Sequence, residues 1–216
     1  MTKFDGIKNF KNLVIAPHAD DEVLGCGGIL NKDFFVYYCG INEDFINNKD
    51  PLHRPPIEKR IKEIENVANF LGFNWYVNRD TRVNYYNEGE LREDFEELIN
   101  TIKPDKIFIP FPSYNQDHKA VYNAAYVALR PHDKNYFVKK VLIYEQEHPI
   151  LWDENPPKVN YFIPINIKKK IEAYLLHKSQ VRPMRSPDLL ESIAKIRGKS
   201  SNCDFAEAFV IERWVD

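Results

Sequence analysis

Two short apolar runs, each closed by a proline, limit what this chain can fold into more than any other feature. Asn12-Leu13-Val14-Ile15-Ala16-Pro17 and Lys106-Ile107-Phe108-Ile109-Pro110 are rich in β-branched residues and stop abruptly. Such runs read as strands buried on both faces, the kind found in parallel sheets. Phe34 to Cys39, Asn74 to Val77 and Val138 to Tyr144 are further strand segments, and helical spacing fills the gaps between them. Arg60 to Leu71 carries Ile61, Ile64, Val67, Ala68 and Leu71 on one stripe and is ended by Gly72. Glu90 to Ile102 places Leu91, Phe95, Leu98 and Ile99 together, and Glu22 to Asn31 and Asp117 to Leu129 are also read as helices. Strand and helix in alternation predict an α/β fold, with a mostly parallel sheet and helices on both faces. After Trp152 the order is less regular. Tyr161 to Ile165 is extended, Lys168 to His177 and Asp188 to Arg197 are helical, and Ala206 to Ile211 is a late strand.

Composition excludes several classes of function. A chain of 216 residues is expected to form one domain, 1–216, with the proline-rich stretches 51–56 and 155–157 as its surface loops. A formal net charge of −2 gives no basic field to collect nucleic acid or anionic lipid. No apolar run approaches the ~20 residues of a membrane span, and the first residues lack the apolar core of a secretory signal. Cys26, Cys39 and Cys203 are odd in number, widely spaced and without a Cys-x-x-Cys pair. They argue against a disulfide framework and for a reduced, cytoplasmic protein.

In a parallel α/β sheet, ligands gather beyond the carboxyl ends of the strands. The first strand is followed by His18, Ala19, Asp20, Asp21 and Glu22. Three carboxylates this close raise one another's pKa unless a cation sits among them, and a divalent metal meets that need. The plainer reading is a helix N-terminus, with Asp20 or Asp21 as its cap. Leu24-Gly25-Cys26-Gly27-Gly28 has glycines, but neither the Rossmann fingerprint nor a Gly-Lys-Ser/Thr. Close packing against a strand explains it better than phosphate binding. The fourth strand leads to Asn115-Gln116-Asp117-His118, where His118 again opens a helix. His18, Asp21 and His118 together make a two-imidazole, one-carboxylate set, which suits zinc with a position left open.

Pro17-His18-Ala19-Asp20-Asp21-Glu22 resembles the Pro-His-x-Asp-Asp-Glu signature of the PIG-L/LmbE-like N-deacetylases. Gln116-Asp117-His118 is similar to that family's second metal motif, usually His-x-Asp-His. Arg60-x-x-Glu63, Tyr144-Glu145, Ser179-Gln180, Arg197-Gly198 and Ala206-Glu207-Ala208-Phe209 also resemble family segments, in the family's order. The resemblance implies a Rossmann-like three-layer sandwich. It also implies zinc, or another divalent metal, on His18, Asp21 and His118, and Asp20 as general base. The implied substrate is an amino sugar or glycoconjugate with an N-acetylglucosamine-type unit, and a homo-oligomer is compatible with it. Arg60, His177 and Glu207 are the expected substrate contacts. The sequence departs from the family at Asn115, where a histidine is usual. An amide can donate to an oxyanion but cannot titrate, so the proton is returned by Asp20 or by another group.

Each of these residues also has a plainer role. Arg60 lies between Lys59 and Lys62 on what reads as a solvated helix face, and His177 ends a helix whose dipole favours a cation. Arg182 and Arg185 suit either an anion or a solvated loop. Tyr114 and Trp152 suit either a sugar ring or the rim of the core. Two other functions compete with deacetylation: a nucleotide-dependent transferase using residues 25–28, and a non-catalytic sugar-binding protein on the same fold.

Overall fold

The computed structural model describes residues 3, 4, 6, 7, 10–43 and 55–216. Positions 51–54 of the first proline-rich stretch, and part of the N-terminal segment read for a signal, lie outside these. The elements in order are β1 (Asn12–Ala16), α1 (Asp21–Cys26), β2 (Phe34–Tyr38), α2 (Ile57–Leu71), β3 (Asn74–Val77), α3 (Glu88–Ile102) and β4 (Lys106–Pro110). Then come α4 (Gln116–Ala128), β5 (Lys140–Tyr144), α5 (Glu147–Trp152), β6 (Tyr161–Pro164), α6 (Ile167–Leu176), α7 (Pro187–Ser200) and β7 (Ala206–Trp214).

The strands form one sheet in the order β3-β2-β1-β4-β5-β7-β6. β1 to β5 pair in parallel, with Val14 opposite both Val36 and Phe108, and Phe108 opposite Leu142. β7 is antiparallel to β5 and to β6. Period-two alternation divides the core into two layers. Val14, Ala16, Val36, Tyr38, Phe108 and Tyr144 face one way, toward Ile61 and Ile64 of α2, Tyr174 of α6 and Leu190 of α7. Leu13, Ile15, Tyr37, Ile107 and Ile109 face the other, toward Leu91, Phe95 and Leu98 of α3 and Val121 of α4. The expected α/β sandwich is therefore present, with helices on both faces of a mostly parallel sheet. Among the described residues no helix is long and apolar enough to cross a membrane.

Two local differences have physical reasons. The helix expected over Glu22 to Asn31 stops at Cys26, where Gly27 and Gly28 lower helix propensity. α5 was not anticipated, because six residues are too few to show a helical period; its Pro149 sits in the first turn, where proline is tolerated. α2 ends as expected, with Gly72 left-handed at φ 91°.

Gly25 of α1 serves packing. A Cβ on Gly25 would lie 2.2 Å from Cδ2 of Tyr144. That ring is fully buried and its hydroxyl donates to the Ile15 carbonyl at 2.9 Å, so it cannot step aside. Gly25→Ala is therefore expected to lower stability by about 1–3 kcal/mol, the usual cost of overpacking. Urea unfolding checks this, and a wild-type midpoint would contradict the packing role.

Candidate metal centre and active site

The strand order reverses direction between β1 and β4, the switch point at which open α/β sheets form a crevice. The two clusters singled out in the sequence meet there. Pro17 ends β1, and the next residues turn sharply into α1. Asp20 occupies the turn with φ 132° and ψ −27°, a backbone region that side-chain-bearing residues rarely adopt. The turn folds Asp21 back, so that its Oδ2 accepts the His18 backbone N–H at 2.8 Å. From β4, the turn 111–115 leads into α4. Asn115 is the N-cap, its Oδ1 accepting the Asp117 N–H at 2.8 Å.

Asp21 Oδ2 lies 3.3 Å from His18 Nδ1 and 3.3 Å from His118 Nε2. His18, Asp21 and His118 each offer a ligand atom, all within 4.8 Å of one another, so the set can hold a metal ion. Two imidazole nitrogens and one carboxylate oxygen are donors zinc accepts. The surroundings fix these donors. His18 donates from Nε2 to Asp117 Oδ2 at 2.8 Å, which turns Nδ1 toward Asp21. Asp117 Oδ2 also accepts the Asn84 N–H at 2.8 Å. Gln146, just beyond β5, donates to Asp21 Oδ1 at 2.6 Å. This carboxylate–imidazole arrangement is the outer shell typical of metal-binding histidines.

The charges are tightly matched. Burial works against the His18 cation, but the hydrogen bonds to Asp117 and Asp21 outweigh it and push its pKa up to about 9. Burial also acts against the Asp21 anion, yet the two histidines hold its carboxyl well below the usual range. Asp20 points elsewhere. Its Oδ2 accepts from Arg185 Nη1 at 2.7 Å, and Arg185 Nε lies 3.0 Å from Glu147 Oε1. Asp20 Oδ1 is buried without a hydrogen-bond partner among the described residues. Burial raises the Asp20 pKa, and the Arg185 guanidinium only partly offsets it.

The other residues singled out lie around this centre. Arg60 is buried, donating to the Ala19 carbonyl at 3.1 Å and to Glu43 Oε1 at 2.9 Å. His177 is fully buried and donates from Nε2 to Glu22 Oε1 at 2.6 Å. Glu207 accepts from Lys170 Nζ at 2.7 Å and from the Gly28 N–H at 2.8 Å. Tyr114 and Trp152 are exposed. Sequence reasoning missed Gln146 and Glu147, which the strand-end rule could have flagged after β5, and it named Asp117 only within the motif that ends at His118. Nothing local to Arg185 marks it as the partner of Asp20, 165 residues away.

Known proteins resemble the chain at several levels. The family model "PIG-L: GlcNAc-PI de-N-acetylase" matches residues 13–129. N,N'-diacetylchitobiose deacetylase from Pyrococcus horikoshii is similar with a TM-score of 0.66 and 22% identity, over 97% of this chain and 85% of that one. The zinc inhibited form of teicoplanin deacetylase Orf2 gives a TM-score of 0.69 and 17% identity, over 95% and 99% of the two chains. GalB, the 4-carboxy-2-hydroxymuconate hydratase from Pseudomonas putida KT2440, gives 0.74 and 16%, over 96% and 99%. At these identities the likeness establishes the fold. No curated protein matches the sequence.

Asp117 gives a direct test of the centre. Asp117→Ala is expected to weaken zinc binding about 10- to 100-fold, as loss of an outer-shell partner does, while His18→Ala and His118→Ala abolish it. Because His18 holds a proton up to about pH 9, the metal must displace that proton. Apparent affinity should rise with pH until about pH 9 and then level off. Calorimetric titration of zinc at several pH values reads both effects. Unaltered affinity in Asp117→Ala, or full occupancy in either histidine variant, would contradict the assignment.

Proposed function

The chain belongs to the PIG-L family, described as GlcNAc-PI de-N-acetylases, and from that premise we propose a metal-dependent hydrolase that removes an N-acetyl group from an amino sugar or glycoconjugate. The reading takes residues 1–216 as one catalytic domain, zinc or another divalent ion as its metal, and an N-acetylglucosamine-type unit as its substrate. One observation carries it: Asp20, adjacent in sequence to Asp21 of the His18–Asp21–His118 set, keeps a buried carboxylate oxygen without a hydrogen-bond partner among the described residues.

A divalent ion bound there supplies Lewis-acid polarisation of the amide carbonyl and lowers the pKa of water. The chain's own residues move the proton. Asp20 accepts a water proton on Oδ1 while Oδ2 stays on Arg185. The water oxygen bonds to the carbonyl carbon, giving a tetrahedral oxyanion. Asp20 then returns the proton to nitrogen as the carbon–nitrogen bond breaks, leaving a free amine and acetic acid, which ionises to acetate and protonates the amine or water. The raised proton affinity of Asp20 suits both transfers. Asn115 spends Oδ1 on the helix cap, and its Nδ2 remains to donate toward the oxyanion.

Asp20→Asn is expected to keep zinc and to lose about 10²-fold or more in the rate of acetate release from N-acetylated sugars. A near-normal rate would move the base elsewhere. Sugar affinity in the wild type without acetate release would instead favour the non-catalytic reading. Asn115→Asp separates the two roles of that residue. It keeps the cap acceptor, so stability should hold, but it removes the amide donor, so the rate should fall about 10²-fold. An unchanged rate would confine Asn115 to capping.

A further inference from the structure

Asp20 holds a backbone conformation that costs free energy for any residue with a Cβ, and something must maintain it. Its N–H donates to Glu22 Oε2 at 3.0 Å. The other oxygen of Glu22, Oε1, accepts from His177 Nε2 at 2.6 Å. Glu22 and His177 are both fully buried, on α1 and at the end of α6, 155 residues apart. His177 is itself anchored through its backbone: its N–H donates to the Tyr174 carbonyl at 2.9 Å, and its carbonyl accepts from the Gln180 N–H at 2.8 Å. The unusual φ of Asp20 sends adjacent carboxylates to different partners, Asp21 to the two imidazoles and Asp20 to Arg185.

We propose that Glu22 and His177 form a buried brace that holds Asp20 in its left-handed turn, which makes His177 a positioning residue and not a substrate contact. A residue in an ordinary helical conformation at position 20 would extend α1 and swing the carboxylate off Arg185. The brace ties the turn to α6, so the position of the base depends on the packing of a distant helix. Its kinetic consequence rests on the deacetylase reading, while its conformational part stands without it.

The test pairs position 20 with position 177 in zinc-loaded protein. By urea unfolding, Asp20→Gly should exceed Asp20→Ala in folding constant by about fivefold or more, because glycine relieves the strained φ. His177→Leu should cost more in the Asp20→Ala background than in the Asp20→Gly background, where no brace is needed. Equal stability of the two position-20 variants, or equal costs of His177→Leu in both backgrounds, would overturn the brace. If His177→Leu does not fold, Glu22→Gln runs the same cycle. Kinetically, with N-acetylglucosamine as probe, His177→Leu should lower kcat about 10- to 100-fold with KM nearly unchanged. His177→Gln, which keeps a donor for Glu22, should recover most of that loss. Adding His177→Leu to Asp20→Asn should cost nothing further. A raised KM with kcat intact would make His177 a substrate contact and overturn the proposal. Absence of acetate release in the wild type would sink the deacetylase reading, and the stability cycle would still decide the brace.

Discussion

Four carboxylates buried within a few residues of the metal set govern the rest of this structure. Asp20, Asp21, Glu22 and Asp117 are each at most 1% exposed. A buried anion without a partner is too costly to keep, and removing one partner of a buried pair typically costs 3–5 kcal/mol. Each carboxylate here has a nitrogen partner: Asp117 has His18, Asp21 has His18 and His118, Glu22 has His177, and Asp20 has Arg185. His18 is shared between Asp117 and Asp21, while the other partners come from separate places: His118 from α4, His177 from the end of α6 and Arg185 from the segment before α7. In the proposed chemistry this arrangement separates the residue that holds metal from the residue that moves a proton, though the two are neighbours in sequence.

The sheet makes the division possible. β1 and β4 lie side by side, but their chains leave toward opposite faces, α1 to one and α4 to the other. The crevice between them receives one histidine from each side. The last strands add the outer support. β7 runs antiparallel beside β5, and Glu207 on it anchors Lys170 of α6. α6 in turn leads to His177. The fold thus reaches the turn at Asp20 from both termini.

How much of this was legible in the sequence depended on distance along the chain. The strands, most helices and the set His18, Asp21 and His118 were readable, because hydrophobic period and strand-end position are local signals. Asn115 was read as an oxyanion donor, and its capping of α4 shows only in the structure. Arg185, Gln146 and Glu147 were not assigned, since their meaning lies in partners far away in sequence. Arg60, His177 and Glu207 were picked out by resemblance as substrate contacts, yet their partners here are Ala19 and Glu43, Glu22, and Lys170. A histidine at a helix end and a glutamate in a strand carry no local mark of burial, so only the tertiary pairing reveals what they touch. The positive φ of Asp20 was equally silent, since aspartate gives no signal comparable to glycine.

The division of labour between Asp20 and Asp21 is open to direct inspection by anomalous diffraction from zinc-loaded crystals. One peak is expected, bonded at about 2.0–2.2 Å to His18, Asp21 and His118, with Asp20 outside bonding distance and still on Arg185. A peak ligated by Asp20, or one bound away from the two histidines, would contradict the separation of metal ligand from proton carrier on which the proposed chemistry depends.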